Sequence, residues 1–246
     1  MALTQIIKDY PVLLEILKPT KNDPRLDVRL QERYKKQATF YDNFRERMLH
    51  GRIELLNDLI PQNFSGTWID IGGGTGWNIE KTYSKLSSSA KVIIVDLCEP
   101  LLNVANKRFA KDNTHFQFKT IKADATNFNL DLSADIITFS YSLSMIPNWF
   151  SAIDNGIKHL KENGKIGVVD FFAPTKYQNF QIKNNFLYNQ LIPWWFSHDD
   201  VFINKDLLPY LESKTQYHSA EINLGKIPYL PVKVPYVKFI GTKEML

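Results

Sequence analysis

Between Trp68 and Asn78 the chain reads Trp68-Ile69-Asp70-Ile71-Gly72-Gly73-Gly74-Thr75-Gly76-Trp77-Asn78, an apolar strand that runs into glycines and then into a polar helix start. Glycines at 72, 74 and 76 permit turns closed to residues with a Cβ and bring bare backbone N–H groups against a ligand, which is the chemistry of a nucleotide-type cofactor. The spacing argues against NAD or FAD. A GxGxxG turn needs its third glycine for tight packing of helix on strand, and counted from Gly72 that position is Trp77. What stands is acid-x-G-x-G-x-G, led by Asp70.

Two more acids follow strand-like runs. Lys91-Val92-Ile93-Ile94-Val95-Asp96 is nearly continuous in β-branched residues, as a strand buried on both faces is, and it ends in a carboxylate. Asp96 follows the glycine turn at about the distance, roughly 20 residues, where a ribose-binding acid is found. A carboxylate accepts both O–H donors of a ribose diol, although an acid after a strand can also cap the next helix. Asp124, in Lys122-Ala123-Asp124-Ala125-Thr126, is the third acid in order.

The elements needed to hold these residues are legible as an alternation. Strands are predicted at 67 to 71, 91 to 96, 115 to 121, 134 to 140 and 165 to 172, with helices from 77, over 99 to 110 and over 148 to 162. Asn148 is the expected cap of the last helix and Gly164 its stop. Strands about 215 to 224 and 232 to 240 are close enough in sequence to pair antiparallel. The expected fold is α/β: a mostly parallel, doubly wound sheet with an antiparallel C-terminal strand. Residues 1 to 60 read as an N-terminal helical appendage covering the cleft. Leu3, Ile6, Ile7, Tyr10, Leu13, Leu14 and Leu17 form one stripe, and Leu26, Leu30, Tyr34, Gln37, Tyr41, Phe44 and Met48 form a second beyond the Pro19 to Pro24 linker. Residues 61 to 246 read as the core, with an aromatic-rich insertion over 174 to 213 that includes Trp194-Trp195-Phe196.

Composition narrows the class. The 246 residues are 44% hydrophobic, enough for a full core, and 13% aromatic, which suits a chain with apolar surface to present. Net charge is +4 and the pI about 8.9, without a Lys/Arg block of the kind that grips nucleic acid. One cysteine, Cys98, rules out an internal disulfide and suits a reducing, cytoplasmic compartment; it reads as a buried filler. His50, His115, His159, His198 and His218 lack paired metal spacing, so no metal is expected. No run is long enough to span a membrane, and no signal peptide is expected.

The acid-x-G-x-G-x-G pattern resembles motif I of the class I S-adenosylmethionine (AdoMet) methyltransferases. That resemblance implies a Rossmann-like fold and an AdoMet site made of Asp70, Gly72, Gly74, Gly76, Asp96, Leu97, Asp124, Ala125, Ser140 and Tyr34, with S-adenosylhomocysteine as product. It gives Asp124 the adenine amino group and Ala125 a backbone N–H for the ring. With Ser140-Tyr141-Ser142-Leu143-Ser144-Met145-Ile146-Pro147 and Gly167-Val168-Val169-Asp170-Phe171-Phe172 added, the chain resembles the methyltransferase part of betaine-lipid synthases over about residues 30 to 241. Tyr41-Asp42, Arg45, Gly51-Arg52, Ile227-Pro228-Tyr229 and Pro235-Tyr236-Val237 belong to the same likeness. The resemblance implies threefold methylation of a diacylglyceryl-homoserine amine by an enzyme peripheral to the membrane. Some family members also carry a domain that builds the homoserine head group, which implies here a separate enzyme supplying the acceptor. N-methyltransferases of phosphatidylethanolamine and ornithine lipid share the pattern and stay open, as do a small-molecule acceptor and aminocarboxypropyl transfer.

A sulfonium methyl is already electrophilic, so the protein has mainly to align a neutral amine at roughly 3 to 3.5 Å and needs no nucleophile of its own. Tyr141, Ser140 and Tyr41 are the expected catalytic groups. Tyr141, Arg45, Arg52, Trp194 and Trp195 are expected to meet substrate, the arginines through a carboxylate of AdoMet or of the head group. Oligomeric state is not legible in the sequence.

Overall fold

The computed structural model describes residues 23–35, 41–110, 114–173, 192–197, 200–230 and 232–244. The 1 to 18 stripe and, within the 174 to 213 insertion, residues 174–191 and 198–199 lie outside them. Three helices, α1 (Leu26–Lys35), α2 (Tyr41–Met48) and α3 (Arg52–Leu59), precede the alternating part. That part runs β1 (Thr67–Ile71), α4 (Trp77–Lys81), β2 (Lys91–Asp96), α5 (Glu99–Arg108), β3 (Gln117–Lys122), β4 (Ala134–Ser140), α6 (Trp149–Lys158) and β5 (Leu160–Phe171). Then come α7 (Ile192–Ser197), α8 (Leu207–Lys214) and the hairpin of β6 (Gln216–Lys226) and β7 (Lys233–Thr242).

The seven strands form one sheet in the order β3-β2-β1-β4-β5-β7-β6. All pairings from β3 to β5 are parallel, and β7 runs antiparallel to both β5 and β6. The α/β expectation holds, including the reversed strand near the C-terminus. Because β2 and β4 flank β1 on opposite sides, their crossovers leave a crevice at the carboxyl ends of the three strands, where open α/β sheets bind ligands.

Alternation along the strands sorts side chains onto two faces. Ile69, Ile71, Ile137, Phe139, Ile166 and Val168 pack under α6 and α8. Trp68, Val92, Ile94 and Ile136 pack under α3, α4 and α5. Helix α3, within the segment read as an appendage, thus forms part of the layer on the sheet through Leu56 and Leu59.

Most boundaries fall within one or two residues of expectation, and two differ more. The helix read over 148 to 162 ends at Lys158, because the His159 ring turns back onto the Asn155 carbonyl at 2.8 Å and Leu160 enters the core as the first residue of β5. Gly164 therefore lies inside the strand and stops nothing. The 26 to 48 stripe is divided between α1 and α2, with residues 36–40 outside the description.

Candidate active site

Four strand ends build the cavity. At the end of β1, Gly72 and Gly74 take φ of 70° and 52°, where a side chain is strained. They need glycine for different reasons. A Cβ on Gly72 would lie 2.3 Å from the Ser142 Cβ, whereas one on Gly74 would meet nothing closer than Leu101 at 3.4 Å. Gly72 is filled in from the protein side; Gly74 has room for ordinary contact with Leu101, and its N–H is directed to the Asp96 carboxylate at 2.9 Å.

Asp96, at the end of β2, accepts Gly74 N–H on one oxygen and Cys98 N–H, at 2.8 Å, on the other. Each oxygen keeps a lone pair for a ribose hydroxyl. Burial pushes Asp96 up to about 6, against the backbone donors that hold it down. At the end of β3, Asp124 uses one carboxylate oxygen to accept the Thr126 N–H and hydroxyl, both at 2.8 Å, which leaves the other for a ligand. At the end of β4, Tyr141 is held at a φ of 53° and its hydroxyl donates to the His50 carbonyl at 2.7 Å. Burial raises its pKa well above the usual tyrosine value, so it stays protonated.

These residues line one cavity of about 460 Å³ with Leu97, Ala125, Ser140, Tyr34 and Arg52. Tyr34 closes it from α1, packed against Cys98 and Leu101, with its hydroxyl donating to the Met145 sulfur at 3.6 Å. Arg52 lays its guanidinium 3.7 Å over the Trp77 ring and donates from Nε to the Leu49 carbonyl. The Ser140 hydroxyl and Trp77 Nε1–H are buried without a hydrogen-bond partner. Orphaned polar atoms, free carboxylate oxygens and a bare Gly74 suit a polar, adenosyl-type ligand.

Asp70 has a different place. It does not line the cavity; it lies beneath the loop, fully buried, accepting the Thr138 hydroxyl at 2.6 Å and the Asn78 amide at 3.0 Å. Burial pushes it up to about 6. Arg45 and Trp194 also lie outside the cavity lining. Trp195 is outside the lining too, packed against the apolar cluster that contains Tyr141, and Tyr41 opens α2 with its side chain outside the described residues. Cys98 lines the cavity with its thiol pushed up to about 12 by burial, too protonated to act as a nucleophile. No group of three or more His, Cys, Asp or Glu among the described residues could hold a metal ion.

Sequence reasoning missed Asp42, Thr75 and Arg108. Asp42 accepts the Thr75 hydroxyl at 2.7 Å and pairs with Arg108 at 2.6 Å, while Arg108 also donates to the Thr75 carbonyl. This network ties α2 to the glycine loop. Its one sequence cue was the Tyr41-Asp42 pair, which says nothing of partners in α5.

The strand order and a nucleotide-type site at the β1–β2–β4 crevice define an AdoMet-dependent enzyme class. The profile of the methyltransferase domain matches residues 41–220, and the chain belongs to that family. Among curated proteins, a demethylmenaquinone methyltransferase of Chlamydia felis is 25% identical over 179 residues, 72% of this chain and 74% of that one. A ubiquinone/menaquinone biosynthesis C-methyltransferase of Hydrogenovibrio crunogenus is 22% identical over 169 residues; this chain spans 64% of its length. Among solved structures, Haemonchus contortus phosphoethanolamine N-methyltransferase 2, in complex with phosphomonomethylethanolamine and S-adenosylhomocysteine, superposes with a TM-score of 0.69 at 12% identity, over 93% of this chain and 62% of that one. The Bradyrhizobium japonicum N-methyltransferase NodS follows with a TM-score of 0.55 at 16% identity, over 78% of this chain and 95% of that one. At such identities the structures establish the fold.

Proposed function

We propose that the chain transfers methyl groups from AdoMet to the amine of a lipid head group, and that the acceptor is diacylglyceryl-homoserine, taken to the trimethylated betaine lipid. One observation carries the reading. Tyr141 is both a wall of the cofactor cavity and a member of an apolar cluster with Leu49, Phe171, Phe196 and Ile227. An acceptor reaching the cavity from that side meets apolar surface with its body and a tyrosine with its reacting end, which fits an amphiphile. The likeness of Ser140 to Pro147 to betaine-lipid synthases supports the same choice.

When bound, AdoMet supplies a methyl group on a sulfonium. Gly74, Asp96, Asp124 and the Ala125 N–H would hold its adenosyl part, and Arg52 would be the cation for a carboxylate of cofactor or head group. The Tyr141 proton is engaged by the His50 carbonyl, so its oxygen can accept an amine N–H and turn the nitrogen lone pair toward the methyl. The apolar surround favours the neutral, nucleophilic amine.

The test is incubation of the purified protein with labelled AdoMet and a panel of lipids, read by mass spectrometry. The expected product is the homoserine lipid carrying three added methyls. Methylation of phosphatidylethanolamine or ornithine lipid alone would move the acceptor. The curated relatives named for menaquinone and ubiquinone methylation favour a second reading, a carbon acceptor on a quinone ring, which the same assay with demethylmenaquinone decides.

A further inference from the structure

The exposed apolar side chains are unevenly placed. Seven large hydrophobic residues stand exposed among those described, and Leu132, just before β4, is the one at the amino edge of the sheet. Ile53 and Phe150 open helices α3 and α6, whose first turns lie level with the strand carboxyl ends because each helix runs back along the sheet. Trp194 and Phe202 belong to the connection leaving β5, and Leu224 and Leu230 to the end of β6 and its turn into β7. Strand β6 is parallel to β5, so that turn is also at the carboxyl edge. The edge that opens the active-site cavity is therefore the edge that shows apolar surface to solvent: Trp194 is 63% exposed, Phe202 53% and Leu230 45%.

Two lysines give this edge a charge preference. Lys226 and Lys233 are direct cross-strand partners at the end of the β6–β7 hairpin, both exposed and neither in an ion pair with a described residue. Like charges placed opposite one another cost stability. Farther down the same hairpin the pairing is complementary, Glu221 opposite Lys238 at 2.9 Å. An unneutralised lysine pair beside Leu224 and Leu230 suits an anionic, amphipathic surface. The interior is continuous with it: Ile227 and Val234 under the turn, and Ile192 and Phe196 behind Trp194, pack in the cluster that contains Tyr141.

We infer that the carboxyl edge of the sheet is a docking face for an anionic lipid bilayer, with Trp194, Phe202 and Leu230 entering the interface and Lys226 and Lys233 meeting head-group phosphates. This rests on the lipid-acceptor reading for its purpose, since it brings the cavity mouth to the plane where a lipid amine lies. It differs from that reading in what it needs: apolar tips at the interface and lysines at phosphate depth, with no methyl transfer.

The experiment is flotation with vesicles of phosphatidylcholine containing a minor share of phosphatidylglycerol, for the full chain and for one variant combining Phe202→Ser, Leu230→Ser, Lys226→Ser and Lys233→Ser. The wild type floats, more strongly at low than at high salt, and the variant partitions about tenfold or more less well. A blue shift of tryptophan emission on adding vesicles, absent in Trp194→Phe, places Trp194 at the interface without relying on the folding of the fourfold variant. Wild-type protein that stays in solution, or a variant that floats as well as wild type, overturns the docking face. Methylation of a short-chain, dispersed homoserine lipid separates the two ideas. The variant keeps it if only docking is lost, whereas its absence in wild type refutes the acceptor reading and leaves the flotation result standing.

Discussion

The glycine-loop side of the cavity and its Tyr141 side are built in opposite ways. The first is made of backbone and short polar groups, Gly72 to Thr75, Asp96 and Asp124, fixed by the ends of parallel strands, whereas Gly76, also expected at the cofactor, lies outside the lining and packs against Phe109. The second is made of bulky side chains: Leu49 and Tyr141 line the cavity, and Phe171, Phe196 and Ile227 pack behind them, with edge-to-face rings of Tyr141 on Phe171 and Phe171 on Phe196, both with centroids at 4.7 Å. Strand ends hold a rigid cofactor to one geometry.

The sharpest way to break this contrast lies within the glycine loop. Gly72→Ala places a Cβ against Ser142 at a positive φ and should cost about 2 to 5 kcal/mol of stability, read as a lower melting temperature. Gly74→Ala has room on the protein side, so it should cost only about 1 to 2 kcal/mol of backbone strain while losing AdoMet affinity in calorimetric titration. Equal melting temperatures, or unchanged affinity in the Gly74 variant, would erase the distinction between a glycine that packs and one that binds.

Asp96 offers a smaller effect and a pH test. Asp96→Ala removes charge-assisted acceptors worth roughly 1.5 to 3 kcal/mol, about ten- to a hundredfold in AdoMet affinity. In the wild type, Asp96 titrates near 6, so affinity should be flat above about pH 7 and fall about tenfold by pH 5 as the acceptor is protonated. The fold should not weaken in step. Asp70, Asp96 and Asp170 are all raised by burial to about 6 from an ordinary 3.8, so the native state holds their protons more tightly than the unfolded chain. Their contribution to stability is complete below about pH 4 and declines as pH rises through 6. Affinity independent of pH between 5 and 7 would count against a carboxylate on the ribose.

The same contrast explains what could be read in advance. Strands β1, β2 and β4 were legible to the residue, because a parallel strand buried on both faces is a run of apolar residues with sharp ends. Gly74, Asp96, Asp124 and Ala125 were legible because cofactor chemistry ties residue type to strand end. Asp70 shows the limit: the motif names the acid, but only packing reveals that Thr138 and Asn78 hold it under the loop rather than in the cavity. The Asp42–Thr75–Arg108 network joins three segments with no period to betray it. The Tyr141 side was legible only as aromatic content, since Phe171, Phe196 and Ile227 meet through tertiary packing alone.

The smallest effect is the most informative about the Tyr141 side. Tyr141→Phe keeps the ring and its packing on Phe171 but removes the hydroxyl that donates to the His50 carbonyl. Stability should fall by about 1 kcal/mol, the net worth of one hydrogen bond, and AdoMet affinity should stay near the wild-type value because Gly74, Asp96 and Asp124 lie on other strand ends and the Ser140 hydroxyl is untouched. If the tyrosine oxygen turns the amine toward the methyl, kcat should fall about tenfold with the KM for AdoMet unchanged. If the ring face favours the cationic later products, by roughly 0.5 to 2 kcal/mol, Phe should still reach the trimethylated lipid while Tyr141→Ala accumulates mono- and dimethyl forms. Single-turnover kinetics with mass-resolved products separates the two contributions. Full wild-type rate and product distribution in both variants would make Tyr141 a packing residue and move the acceptor to another wall of the cavity.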